Sequence, residues 1–134
     1  MKNKRLIALL ACVLLIIGCN DGKYEAFQGR MKQFVTNPYD LQSWAVSTMK
    51  TNSLFYEIPT NQWPGYLNVT NGPSSAWVAC WATTNDRTVV VAWGGGFSHT
   101  GLIVGDTNFV ITTADLGRPV VQWIPGVYFS PVSE

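Results

Sequence analysis

The run Thr88-Val89-Val90-Val91-Ala92-Trp93 constrains this chain more than any other feature. Its β-branched residues favour an extended strand. Side chains along a strand alternate between two faces, so Val89, Val91 and Trp93 point one way and Val90 and Ala92 the other. Both sets are apolar. A sheet with one wet face would show polar residues at alternate positions. This strand must therefore be covered on both faces. Three candidates stand for the second cover: the first helix, the Pro-rich segment 53–74, or another protein.

The C-terminal half around this strand reads as β. Residues 76–83 form an apolar strand, closed by the polar turn Thr84-Asn85-Asp86-Arg87. Thr83 is expected to face Thr88 across that turn, and Gly94 to face His99 across the next. Residues 100–104 give a third strand and 109–112 a short fourth piece. The last strand covers 120–124, bent by Pro125-Gly126 before Val127, Tyr128 and Phe129. Asp86, Asp106 and Asp115 stand at turn-like positions and read as turn formers.

Upstream, Asn37-Pro38-Tyr39-Asp40 starts a helix. Asn caps the free N–H groups, Pro fits the first turn, and Asp40 complements the dipole. Leu41, Trp44, Ala45, Thr48 and Met49 then fall on one stripe, and Lys50 and Asn52 suit its end. The spacing predicts a helix over 38–51, with Trp44 facing the core and one sheet face beneath it. Tyr24, Phe27, Met31, Phe34 and Val35 recur at similar spacing and predict an earlier helix, weakened by Gly29. Segment 53–74 is punctuated by Pro59, Pro64, Gly65, Gly72 and Pro73 and reads as irregular, with one helical turn at 60–63. The expected fold class is α+β: one or two N-terminal helices packed on a small antiparallel sheet of about four strands.

The first residues, Met1-Lys2-Asn3-Lys4-Arg5, are basic, and 6–17 are unbroken apolar. That order reads as a secretory signal. The run is shorter than the roughly 20 residues that a membrane span needs. Ile16-Ile17-Gly18-Cys19 resembles the lipobox of bacterial lipoproteins. The resemblance covers 1–19 and implies cleavage after Gly18, a diacylglycerol thioether on Cys19 and a fatty acyl chain, such as palmitate, on the new N-terminus. Two or three chains anchor a protein stably where one does not. The expected organisation is a cleaved signal peptide (1–18), a lipidated N-terminus and tether (19–23), and a single α+β domain (24–134). The expected location is the bacterial cell envelope. Asn20 after the cysteine favours the outer membrane, facing the periplasm, over the inner.

Without Lys2, Lys4 and Arg5, six of the nine basic residues face eight acidic ones, a net charge of about −2. No basic stripe with interleaved aromatics is present, so nucleic acid is not an expected partner. All six Trp, five Tyr and six Phe follow residue 18, enough large rings for a core in a small domain. Cys12 leaves with the signal and Cys19 carries lipid. Cys80 then has no disulfide partner within the chain, and the domain must rest on packing.

The segment richest in chemistry is 94–105, Gly-Gly-Gly-Phe-Ser-His-Thr-Gly-Leu-Ile-Val-Gly, which holds the only histidine, His99. Gly96 and Gly101 have phosphate-loop spacing, but Leu102 stands where Lys is required. Gly95, Gly96, Phe97, Ser98 and His99 form a candidate binding loop, since loops on a rigid scaffold carry function. His99-Thr-Gly-Leu-Ile-Val-Gly105 resembles the histidine strand of NlpC/P60-type cell-wall peptidases. That resemblance implies a Cys nucleophile earlier in the chain, and Cys80 is the residue available. The family cysteine sits at a helix start, where the dipole favours thiolate, whereas Cys80 sits in an apolar strand. The expected register separates it from His99 by roughly 13–14 Å. The domain as a whole also resembles small uncharacterised bacterial proteins with a Trp-Gly-x-Gly-Phe-x-His-x-Gly-Leu motif, here Trp93 to Leu102.

No metal site and no cofactor are expected from one His and no closely paired carboxylates. The expectation is a membrane-anchored envelope lipoprotein whose domain binds or supports a partner. Those partners are membrane lipid through Cys19 and another envelope protein or a cell-wall component. The alternative is a cysteine hydrolase of cell-wall peptides using Cys80 and His99. A third possibility is an oligomeric component whose second sheet face is covered by a neighbouring copy.

Overall fold

Five antiparallel strands form the sheet: β1 (Ser75–Cys80), β2 (Arg87–Trp93), β3 (Thr100–Val104), β4 (Val121–Ile124) and β5 (Val127–Ser130), ordered β1-β2-β3-β5-β4. The computed structural model describes residues 25–81, 84–94 and 100–130. Three helices accompany the sheet: α1 (25–34), α2 (Pro38–Thr51) and the single turn α3 (Thr113–Leu116). The architecture is α+β, with five strands rather than about four. The difference lies at Pro125-Gly126. These residues do not bend one strand but reverse the chain, so β4 and β5 pair as a hairpin. Gly126 has φ +83°, and a Cβ there would run into the carbonyl oxygen of Asp106. Only glycine takes that place without strain.

Helix α2 starts as its sequence dictates. The Asn37 side chain accepts from the Tyr39 N–H at 3.1 Å, and Pro38 opens the first turn. Leu41, Ala45, Thr48 and Met49 are buried along one stripe. Trp44 packs at the margin of the core, where its indole N–H donates to the Gln62 carbonyl at 2.9 Å. Phe27, Met31 and Val35 bring α1 to the same core, with Phe27 edge-on to Phe129.

Both helices therefore cover one sheet face, the face of Ala76, Val78, Val89, Val91, Leu102, Val104, Val127 and Phe129. The second face has a different cover from the three expected. Phe109 and Ile111 are buried against Ile103 and Tyr128, with Leu116 and Trp81 alongside. The chain after β3 folds back over its own sheet. Residues 109–112, expected as a strand, are in no strand. The Asp106 carboxylate accepts from the N–H groups of Asn108 and Phe109 at 2.8 and 3.1 Å, so this stretch begins as a side-chain-closed turn.

The register of β2 on β3 is the expected one: Val89 pairs with Val104 and Trp93 with Thr100. The register of β1 on β2 is shifted by four residues. Ala79, not Thr83, faces Thr88. Strand β1 ends at Cys80 because Trp81 turns onto the second-face cluster, and its carbonyl accepts from the N–H groups of Thr84 and Asn85. The irregular segment after α2 contains the short 3-10 turn at Thr60–Gln62. It also guards the outer edge of β1. Phe55 and Ile58 donate to the carbonyls of Val78 and Ala76, and Tyr56 accepts from Val78. An open strand edge would invite pairing with another chain.

Candidate functional site

The candidate loop Gly95, Gly96, Phe97, Ser98 and His99, like Cys19, lies outside the described residues. Its two stems are described. Trp93 pairs with Thr100, whose hydroxyl donates to the Trp93 carbonyl at 3.4 Å. Trp93 is buried against Phe34 of α1, ring centroids 6.0 Å apart. Its indole N–H is buried and has no hydrogen-bond partner among the described residues. The loop thus springs from a packed sheet end and not from a free chain segment.

Cys80 sits at the other end. It is a half-buried free thiol opposite Arg87, and its sulfur makes only a 4.0 Å contact to the Trp81 carbonyl. Thr100 stands opposite Trp93, six positions further along β2. At about 3.3 Å per residue and two strand spacings across, Cys80 and Thr100 are roughly 22 Å apart. The register shift carries Cys80 further from the start of β3 than the sequence suggests. His99 itself lies outside the described residues.

The aspartates act as turn formers. Asp115 forms a capping box with Thr112, each receiving the other's backbone N–H. Asp106 closes the turn already described. Asp86 lies in the β1–β2 turn, its N–H donating to the Thr84 hydroxyl at 3.3 Å. Among the described residues no three His, Cys, Asp or Glu side chains gather where they would hold a metal ion. No helix among them is long and apolar enough to cross a membrane.

Two features are not evident in the sequence. The first is Gln42, 6% exposed, whose amide donates to the carbonyls of Gly105 at 3.0 Å and Pro125 at 2.8 Å. It lines an open groove of about 530 Å³ between α2 and the turn after β3, with Ser43, Val46, Ser47, Lys50, Asp106 and Thr107. A polar residue one position from the stripe carries no sequence signal for such a role.

The second is the tip Leu54-Phe55. Leu54 is 41% exposed and Phe55 is 79% exposed with φ +60°. A left-handed backbone costs a bulky residue about 1–2 kcal/mol. The other described non-glycine residues with positive φ are Asn71 and Asn85, a type that tolerates it. The Arg87 guanidinium, which donates to the Asn52 carbonyl, and the Phe55 N–H bond to Val78 hold the turn in place. Neither a family model, nor a curated protein, nor a solved structure matches this chain.

Proposed function

We propose that this chain is a lipoprotein of the bacterial cell envelope, anchored through acyl chains on Cys19. Its α+β domain binds or supports a partner and carries out no catalysis. The observation that carries the reading is Ile16-Ile17-Gly18-Cys19 behind a basic start and an apolar run. In this reading residues 19–23 join the lipidated N-terminus to the folded domain. The contact surface in this reading is the loop 95–99, and its partner is another envelope protein or a cell-wall component. Asn20 favours the outer membrane.

The distance between Cys80 and the start of β3 weighs against the hydrolase alternative. The fold of 105–116 over the second sheet face removes much of the need for a neighbouring copy there.

The test is intact mass with membrane fractionation, wild type beside Cys19→Ala. Loss of the signal, gain of acyl mass and recovery with membranes in the wild type alone is the expected result. Identical behaviour of the two proteins overturns the reading.

A further inference from the structure

We infer that the groove along α2 binds a free α-amino acid whose side chain ends in a hydrogen-bond donor, as that of glutamine does. The inference goes beyond the lipid-anchor reading and does not depend on it, since it assigns a site in the folded domain.

Shape is the first observation. Gln42, Val46 and Lys50 lie four positions apart on one face of α2, so the groove follows two turns of the helix, about 12 Å. A second hollow of about 260 Å³ continues it. This hollow shares Val46, Lys50 and Asp106 with the groove and reaches Asp86 and Arg87. The groove of about 530 Å³ falls within the range of small-ligand sites, about 300–1,000 Å³.

Charge is the second. Two cations, Lys50 and Arg87, and two carboxylates, Asp86 and Asp106, meet at the hollow. Among the described residues no ion pair joins them. Asp106 uses Oδ1 on the turn amides of Asn108 and Phe109, and its Oδ2 accepts no hydrogen bond among the described residues. Arg87 donates to the Asn52 carbonyl and keeps further N–H groups. Unpaired charges of both signs at one place complement a molecule that carries both. Its ammonium faces Asp106 and Asp86, and its carboxylate faces Lys50 and Arg87. An anion alone or a cation alone would meet like charge there.

Gln42 supplies the third. Its side chain is buried, and Nε2 donates to the carbonyls of Gly105 and Pro125. Two carbonyl acceptors fix which end of the amide is the nitrogen. Oε1 is the end left for the groove, and it accepts no hydrogen bond among the described residues. A held acceptor of this kind calls for a donor. A ligand gripped at its ammonium and carboxylate beside Lys50 reaches back along α2 with a side-chain N–H toward Oε1.

The test is saturation-transfer NMR on the full chain in detergent micelles, with L-glutamine as the probe. Three relatives each lack one group: N-acetyl-L-glutamine the ammonium, the α-amide of L-glutamine the carboxylate, and L-norvaline the side-chain amide. Transfer to L-glutamine is expected, with each relative bound about tenfold more weakly. Lys50→Met and Asp106→Asn, which keeps an acceptor for the turn amides, should each weaken L-glutamine several-fold. Unchanged denaturant midpoints check that both variants fold, and the compound series on the wild type decides the matter if either is unstable. No transfer to L-glutamine at millimolar concentration overturns the inference. So does equal binding of all four compounds, or binding that survives both variants, since either result places the contact outside this groove.

Discussion

The side-chain amide of Gln42 donates to the carbonyl oxygen of Gly105 at 3.0 Å, joining helix α2 to the end of β3 across 63 positions of chain. The same nitrogen donates to Pro125 at 2.8 Å. One buried amide therefore ties the helix to the two turns that close the sheet at this end. Gln42→Ala leaves both carbonyls short of a donor, and a buried unsatisfied group costs about 1–3 kcal/mol. The expected loss is about 2–3 kcal/mol, read from the denaturant midpoint at unchanged slope. Gln42→Glu should cost more, because it turns carboxylate oxygens toward carbonyl oxygens. A variant as stable as the wild type would show that these bonds contribute nothing net.

Gly126 is the partner of that arrangement. A Cβ at this position meets the Asp106 carbonyl and comes within 2.6 Å of the Gln42 amide nitrogen, on a backbone with φ +83°. Gly126→Ala thus adds backbone strain and disturbs the Gln42 bonds together. The expected destabilisation is about 3 kcal/mol or more. In Gln42→Ala protein the cost of Gly126→Ala should shrink, since one of the two clashes is gone. A double-mutant cycle measures that coupling.

Much of this fold was legible in residue order. Asn37-Pro38 marked the start of α2 because a cap and a first-turn proline are local devices. The β2–β3 pairing followed from two runs of β-branched and apolar residues on either side of the glycines. What failed was long-range. The β1–β2 register slipped by four because Trp81 leaves its strand for Ile103 and Tyr128, a contact with no local signature. The cover of the second face came from 105–116 because Phe109 and Ile111 alternate with exposed Val110, a pattern shared by a strand and by a chain lying on a sheet. The long-range hydrogen bonds of Gln42, and the exposure and backbone angle of Phe55, are displayed only by the folded chain. The loop at 95–99, the clearest candidate in the sequence, lies outside the described residues.

Tyr66 should make stability depend on alkaline pH. Burial, and secondarily the Asp40 carboxylate, push its pKa from 10.0 up to about 12. Its hydroxyl has no hydrogen-bond partner among the described residues. Below pH 10 the folded and unfolded chains both keep the proton. Between pH 10 and 12 the unfolded chain releases it while the folded chain holds it, so stability falls as pH rises. Tyr66→Phe removes that dependence. Denaturation midpoints of the two proteins should be close at pH 7 and diverge in favour of Phe toward pH 12. Tyr128, also raised by burial, is present in both proteins and cancels. Parallel curves would show that Tyr66 does not titrate differently in the two states.

Thr88 offers the converse of Gln42. It is 0% exposed on the second face of β2, facing Ala79, and its hydroxyl finds no hydrogen-bond partner among the described residues. The indole N–H of Trp81, packed on the same face, is equally unpartnered. Valine has nearly the same shape, prefers a strand and brings no polar atom to bury. Thr88→Val is therefore expected to raise stability by about 1 kcal/mol, a direction opposite to the usual outcome of a core substitution. The denaturant midpoint checks it. A loss of similar size would mean that an ordered water bridges the Thr88 hydroxyl and the Trp81 indole, since such a water holds two or more bonds and is costly to strand. Trp81→Phe would then separate the two cases: it should lose stability alongside Thr88→Val in a non-additive way if a shared water links them, and independently of it if none does.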